Sequence, residues 1–135
     1  MPKRPIYPEG SRATADAIKV SPGVLSNGHL FLTGMTGSGP DGKMPAEPEA
    51  QFRAAFGKVD AVLKAAGLDF SAVVEMTSYH IGLREHFDLF ERVRAEFVRE
   101  PWPAWTAVEV AGLRRTGALV EIRVIAAAGP DTPNP

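Results

Sequence analysis

The sequence predicts an α+β fold: one mixed six-stranded sheet with two helices packed on a single face. Three observations predict it. Two stretches carry apolar residues at helical spacing, Phe52, Phe56, Val59, Leu63 and Ala66 in one and Phe87, Phe90, Val93 and Phe97 in the other. Short segments around them alternate apolar and polar residues, the period of a half-buried strand. The order is about three strands, helix, strand, helix, two strands, and helices this one-sided belong on the same side of one sheet.

The first twenty or so residues are rich in Pro, Gly and small polar residues. An edge strand is expected around Arg4–Tyr7, where Pro5 is tolerated because an edge leaves some donors unpaired. Gly23–Met35 reads as a hairpin: Asn27-Gly28 accepts the positive φ of a tight turn, and Leu30 to Thr33 return. A loop dense in Gly and Pro, Met35–Glu49, follows. Glu47, Pro48 and Glu49 suit a helix opening, and Gly67 its stop. Ala72–Ile81 is a strand with Val74, Met76, Ser78 and His80 on one face and Val73, Glu75, Thr77, Tyr79 and Ile81 on the other. Arg84–Arg99 is the second helix, ended by Pro101. Trp105–Val110 and Ala118–Ala127 are the last strands, joined by a turn through Gly112–Gly117. The chain thus divides into an N-terminal segment (1–16), a single domain (17–128) and a flexible, Pro-rich tail (129–135).

At 135 residues the chain has room for one core, not two. Its 15 basic and 16 acidic residues leave a net charge of -1, which gives no field to gather a polyanion, so nucleic acid is a poor partner. The lack of cysteine excludes disulfides, thiolate nucleophiles and sulfur-ligated metals. Pro2, Pro5 and Pro8 would break a signal peptide, and no apolar run approaches the ~20 residues that span a bilayer. No membrane association is expected, and a cytoplasmic location is the default.

Gly37-Ser38-Gly39-Pro40-Asp41-Gly42-Lys43 has the glycine spacing of a phosphate loop. Met44 stands where Ser or Thr would hold magnesium, however, and Pro45 and Pro48 keep a helix from starting at once. A hairpin-type turn explains the same glycines. His29, His80 and His86 lack metal-ligand spacing, so no metal is expected. His80 reads as a hydrogen-bonded core histidine or as one facing a cavity. Thr36, Ser38, Thr77 and Ser78 sit in no nucleophile elbow.

The last strand is the sharper clue. Val120, Ile122 and Val124 face the helices, so Leu119, Glu121, Arg123 and Ile125 point the opposite way; Trp105, Ala107 and Glu109 form a similar set on the strand before. A second face both apolar and charged suits burial against other subunits around a polar cavity. A solvent-facing sheet with an exposed ion pair is the alternative. Shielded from water, Glu121 and Arg123 each require a partner: an ion pair across a subunit interface, or a bound metabolite.

Several runs together resemble the Rid family, also called YjgF and labelled translation inhibitor or endoribonuclease. They are Ser21 to Gly34 (SPGVLSNGHLFLTG), Gln51 with the helix ending Ala65-Ala66-Gly67-Leu68, Val73–Ile81, Pro103 to Val110 (PAWTAVEV) and Gly117 to Ala126 (GALVEIRVIA). The resemblance, over about residues 18–128, implies a chorismate-mutase-like fold and a homotrimer with three clefts, each shared by two subunits. It also implies hydrolysis of enamines and imines without a cofactor, an arginine clamping the substrate carboxylate and a glutamate placing water. The glutamate carries over as Glu121, the implied catalytic residue. The family's arginine follows Pro-Ala, where Trp105 stands here; its tyrosine near the first hairpin corresponds to Val20, and an asparagine of the second helix to Glu91. An indole in place of a guanidinium turns such a pocket aromatic and apolar. The implied substrate-binding positions are Trp105, Arg123, Ala107, Val20 and Gly34, with Arg123 as the replacement cation.

The expectation is therefore a divergent homotrimer acting on a small metabolite, by deaminase-like hydrolysis of a C=N or enamine bond. A metabolite-binding trimer without catalysis is the alternative. An endoribonuclease is the least favoured reading, because it needs an anion-binding surface that the charge balance does not provide.

Overall fold

The computed structural model describes residues 2–129. Its elements are β1 (Arg4–Ile6), α1 (Arg12–Ile18), β2 (Gly23–Ser26), β3 (His29–Leu32), α2 (Pro48–Ala65), β4 (Val73–His80), α3 (Leu83–Arg94), β5 (Ala104–Glu109) and β6 (Val120–Ala127). The strands form one six-stranded sheet in the order β1-β2-β3-β6-β4-β5. Only β4 and β5 run parallel, because α3 carries the chain back between them. The β2–β3 turn places Asn27 at φ 51° and Gly28 at φ 76°, the conformations a two-residue hairpin demands.

The helical spacing seen in the sequence has its physical counterpart in one core. Phe52, Phe56, Val59 and Leu63 of α2 and Phe90 and Val93 of α3 pack on Leu25, Leu30, Leu32, Val120, Ile122 and Val124 of the sheet. Each such side chain withdrawn from water contributes about 1.5–3 kcal/mol. The two helices meet through aromatic edges, Phe52 against Phe90 at 5.3 Å and 86°.

Four expectations require correction. A third helix, α1, occupies part of the segment read as irregular; its seven residues bury only Ala15, too little for a periodic signature. The second long helix stops at Arg94 instead of Arg99, and the chain continues through Val98 as turns whose carbonyls Arg99 closes with its guanidinium. In β4 a bulge between Val73 and Glu75 turns Val73 inward and leaves Val74 45% exposed, the reverse of strict alternation. The fourth concerns β5 and is described with the site. The tail expected to be flexible lies outside the described residues beyond Gly129.

One polar side chain ties the loops to this core. Gln51, 2% exposed, donates from Nε2 to the carbonyls of Pro45 (2.8 Å) and Gly117 (2.9 Å) and accepts from the Leu119 N–H (2.9 Å). A Cβ at Gly37 would run into the Gln51 carbonyl oxygen, so only glycine lets that loop approach α2. Gln51 thereby fixes the entry to β6, two residues before Glu121.

Candidate functional site

Glu121 and Arg123 occupy the face of β6 turned away from α2 and α3, helix-free in the sense that neither long helix covers it. Val120, Ile122 and Val124, which flank them, are buried on the other side, and strand alternation does the rest. Across the sheet Glu121 is level with Tyr79 and Val108, and Arg123 with Thr77 and Thr106. Glu121 is half-buried and its carboxylate lies against Gly34; a Cβ there would overlap Oε2 and crowd Cγ and Cδ. The carboxylate has no hydrogen-bond or ion-pair partner among the described residues. Arg123 is exposed and does not pair with it, so the ion pair weighed from the sequence is not formed within the chain.

Gly34 is held by a zipper to the segment that carries Val20. Thr33 donates from Oγ1 to the Ser21 carbonyl (2.7 Å) and from its N–H to that of Pro22 (3.0 Å). Val20 is exposed beside this zipper. The rim of the face is apolar: Phe31, opposite Ile125, is 40% exposed, and Val74 stands out on its bulge.

Trp105 is not on this face, contrary to the sequence reading that grouped Trp105, Ala107 and Glu109 with Glu121. The parallel register sets Trp105 opposite Met76, Ala107 opposite Ser78 and Glu109 opposite His80, and all three of those β4 residues are buried beneath the helices. Its indole stacks on Phe87 of α3 (5.6 Å, 6°), lies under the Arg94 guanidinium (4.0 Å) and donates from Nε1 to Ser78 Oγ (2.9 Å). Glu109 confirms the parity by accepting the Leu83 N–H at the start of α3 (3.0 Å). The indole and the Glu121 carboxylate therefore belong to opposite faces of one sheet.

The Trp105–Ser78 contact continues to His80, which is 1% exposed and shares a hydrogen bond with Ser78 Oγ through Nε2 (2.8 Å). Its Nδ1 has no partner among the described residues, and Phe90 meets the ring edge-on at 4.6 Å. Burial, with a smaller push from His86, lowers the His80 pKa to about 4. His80 is thus a buried, hydrogen-bonded core histidine. The unfolded chain binds this proton below pH ~6.5 and the folded chain only below about 4. The His80 contribution is complete above pH ~6.5 and is lost as pH falls toward about 4. Urea midpoints of the wild type should fall across that window more steeply than those of His80→Leu; parallel curves would contradict the assignment.

Comparison with known proteins identifies the family and the fold. The family model described as endoribonuclease L-PSP matches residues 11–128. The chain is 34% identical over 122 residues to the RutC family protein YjgH of Escherichia coli, covering 90% of this chain and 92% of that one. The chain belongs to the Rid (YjgF, endoribonuclease L-PSP) family. A solved structure of protein YJGH superposes with a TM-score of 0.85 at 33% identity, covering 94% of this chain and 97% of that one. A more distant Rid relative, the 2-iminobutanoate/2-iminopropanoate deaminase of Bos taurus, is 31% identical over 124 residues, 90% of this chain and 89% of its own.

Within this Rid chain, two residues beside the sequence-predicted site positions escaped the sequence reading. Tyr79 is the cross-strand neighbour of Glu121, and its signal was present: β4 alternation already set it opposite His80. Arg94 brings a guanidinium over Trp105, with Nε buried and unpartnered and desolvation lowering its pKa. Spacing on α3 gave no hint of it, because the contact is to a strand eleven residues later. Among the described residues no cluster of three His, Asp or Glu is placed to hold a metal, and no helix is long and apolar enough to cross a membrane.

Proposed function

We propose that the chain assembles as a homotrimer whose inter-subunit clefts bind a small metabolite, and that Glu121 places water for cofactor-free hydrolysis of an imine or enamine. The observation that carries this reading is the Glu121 carboxylate, half-buried and unpartnered on a helix-free face bordered by Phe31 and Val74. A carboxylate in that state is free to take a proton from water. Water attacks the imine carbon as Glu121 takes one of its protons, the C=N pair passes to nitrogen, and Glu121 returns that proton to nitrogen to give a carbinolamine. Glu121 then carries the hydroxyl proton to the same nitrogen as C=O forms and the C–N bond breaks, an enamine entering as its imine tautomer. Keto acid and ammonia result. The 31% identity to a 2-iminobutanoate/2-iminopropanoate deaminase supports this chemistry.

Opposite faces impose a condition. Glu121 and Trp105 share a cleft only if two subunits supply them, the helix-free face of one and the β5 edge of its neighbour. β5 ends the sheet with one row of backbone groups open, and Trp105 is only half-buried there. Arg123, Gly34 and Val20 then line the Glu121 side, and Trp105 and Ala107 the other.

A non-catalytic metabolite-binding trimer is the second reading. The specific observation favouring it is that Trp105 is held in packing, stacked on Phe87 with the Arg94 guanidinium over its other side, so that the Glu121 side of the cleft offers a substrate carboxylate the exposed Arg123. Keto-acid release from 2-iminopropanoate and 2-iminobutanoate separates the two. Release well above the buffer rate is the expected result; a rate equal to buffer, with a Tm raised by an unconsumed ligand, establishes the binder instead.

A further inference from the structure

A second polar cluster lies in the loops beside α2, made of residues the proposed cleft does not use. Ser38 is 8% exposed, and its hydroxyl oxygen accepts from Lys58 Nζ of α2 (2.9 Å) and from the Arg115 guanidinium of the β5–β6 connection (3.3 Å). The other end of that guanidinium donates to the Gly42 carbonyl. Among the described residues neither cation has a carboxylate within 4.0 Å. Two donors occupy the lone pairs of Ser38, so its own O–H is left without an acceptor among the described residues. Burial first, and repulsion from Arg115 second, hold the Lys58 ammonium below its ordinary pKa. Arg115 also lines an open cavity of about 500 Å³ with Gly42, Met44, Arg114 and Thr116.

Two like charges converging on one neutral oxygen are unfavourable unless an anion joins them. A phosphate group meets every demand here, with acceptor oxygens for an ammonium, a guanidinium and a hydroxyl at once. The geometry points to an anion site at Ser38, Lys58 and Arg115 that takes the phosphate group of a small molecule, whose remainder lies in the cavity against Met44, Arg114 and Thr116. Ser38 and Gly42 belong to the loop whose glycines mimic a phosphate loop, but side chains form this site, not backbone amides at a helix start. Two arginines lining one cavity, with Lys58 joined to Arg115 through Ser38, in a chain of net charge -1, favour a small ligand over a polyanion.

Calorimetric titration of the full chain at constant ionic strength tests the site, with inorganic phosphate and glycerol 3-phosphate as probes and chloride and acetate as controls. Saturable binding of a phosphate probe, absent for the controls, is expected. Tighter binding of the monoester shows that the cavity is used, and equal binding points to free phosphate. Lys58→Met and Arg115→Gln should each weaken binding by about tenfold or more. Lys58→Met should keep a Tm at or above wild type, because it removes a desolvated like charge. Should Arg115→Gln not fold, Arg115→Lys carries the same reading, keeping charge but losing the fork. A wild type as indifferent to phosphate as to chloride overturns the site, as does phosphate binding unchanged in the variants. A short single-stranded RNA binding about a hundredfold tighter than either probe also overturns it, marking a polyanion surface.

Discussion

Trp105→Ala should unfold about 10 °C below the wild type, a loss of about 3 kcal/mol. The indole fills the space between β5 and α3, stacked on Phe87 and covered by Arg94. Truncation removes both contacts and leaves Ser78 Oγ without the indole N–H. The lower end of the usual range for aromatic truncation applies because Trp105 is only half-buried. Trp105→Phe keeps a ring on Phe87 and loses one hydrogen bond, so it should cost only about 1 kcal/mol. Thermal unfolding followed by circular dichroism measures both. An alanine variant within about 0.5 kcal/mol of wild type would return the indole to the open face and contradict the β5 parity.

The larger effect on activity belongs to Glu121. Glu121→Gln preserves the side chain's shape against Gly34 but cannot hold the proton taken from water. Turnover of an iminopropanoate substrate should fall about 10²–10⁴-fold, with KM little changed and Tm close to wild type. Gly34→Ala separates position from chemistry. Its Cβ displaces the carboxylate without altering its charge, so kcat should fall while the helices and sheet persist. Full turnover in Glu121→Gln removes Glu121 from the mechanism and leaves the neighbouring Tyr79 as the group to examine.

What the sequence disclosed depended on how one-sided each element is. α2 was legible because Phe52, Phe56, Val59 and Leu63 repeat at helical spacing with nothing to contradict them. The outward aim of Glu121 and Arg123 was legible because Val120, Ile122 and Val124 leave β6 only one inward face. β5 offered no such asymmetry. Trp105, Ala107 and Glu109 alternate with Thr106, Val108 and Val110, and each set mixes polar with apolar. Only pairing with Met76 and Ser78 decides between them, and that contact is set by α3 and the parallel register. The bulge at Val73 is equally tertiary, since two adjacent valines carry no mark of which turns inward. The Ser38–Lys58–Arg115 cluster joins residues 20 and 77 positions apart, so no local pattern announces it.

The proposed cleft requires the helix-free face of one subunit to meet the β5 edge of another. Sedimentation equilibrium of the full chain at micromolar concentration tests this most directly. A homotrimer gives three times the chain's 14.5 kDa, independent of concentration across the accessible range. A species of 14.5 kDa under the same conditions would leave Glu121 and Trp105 on opposite, separately wetted faces and contradict the cleft.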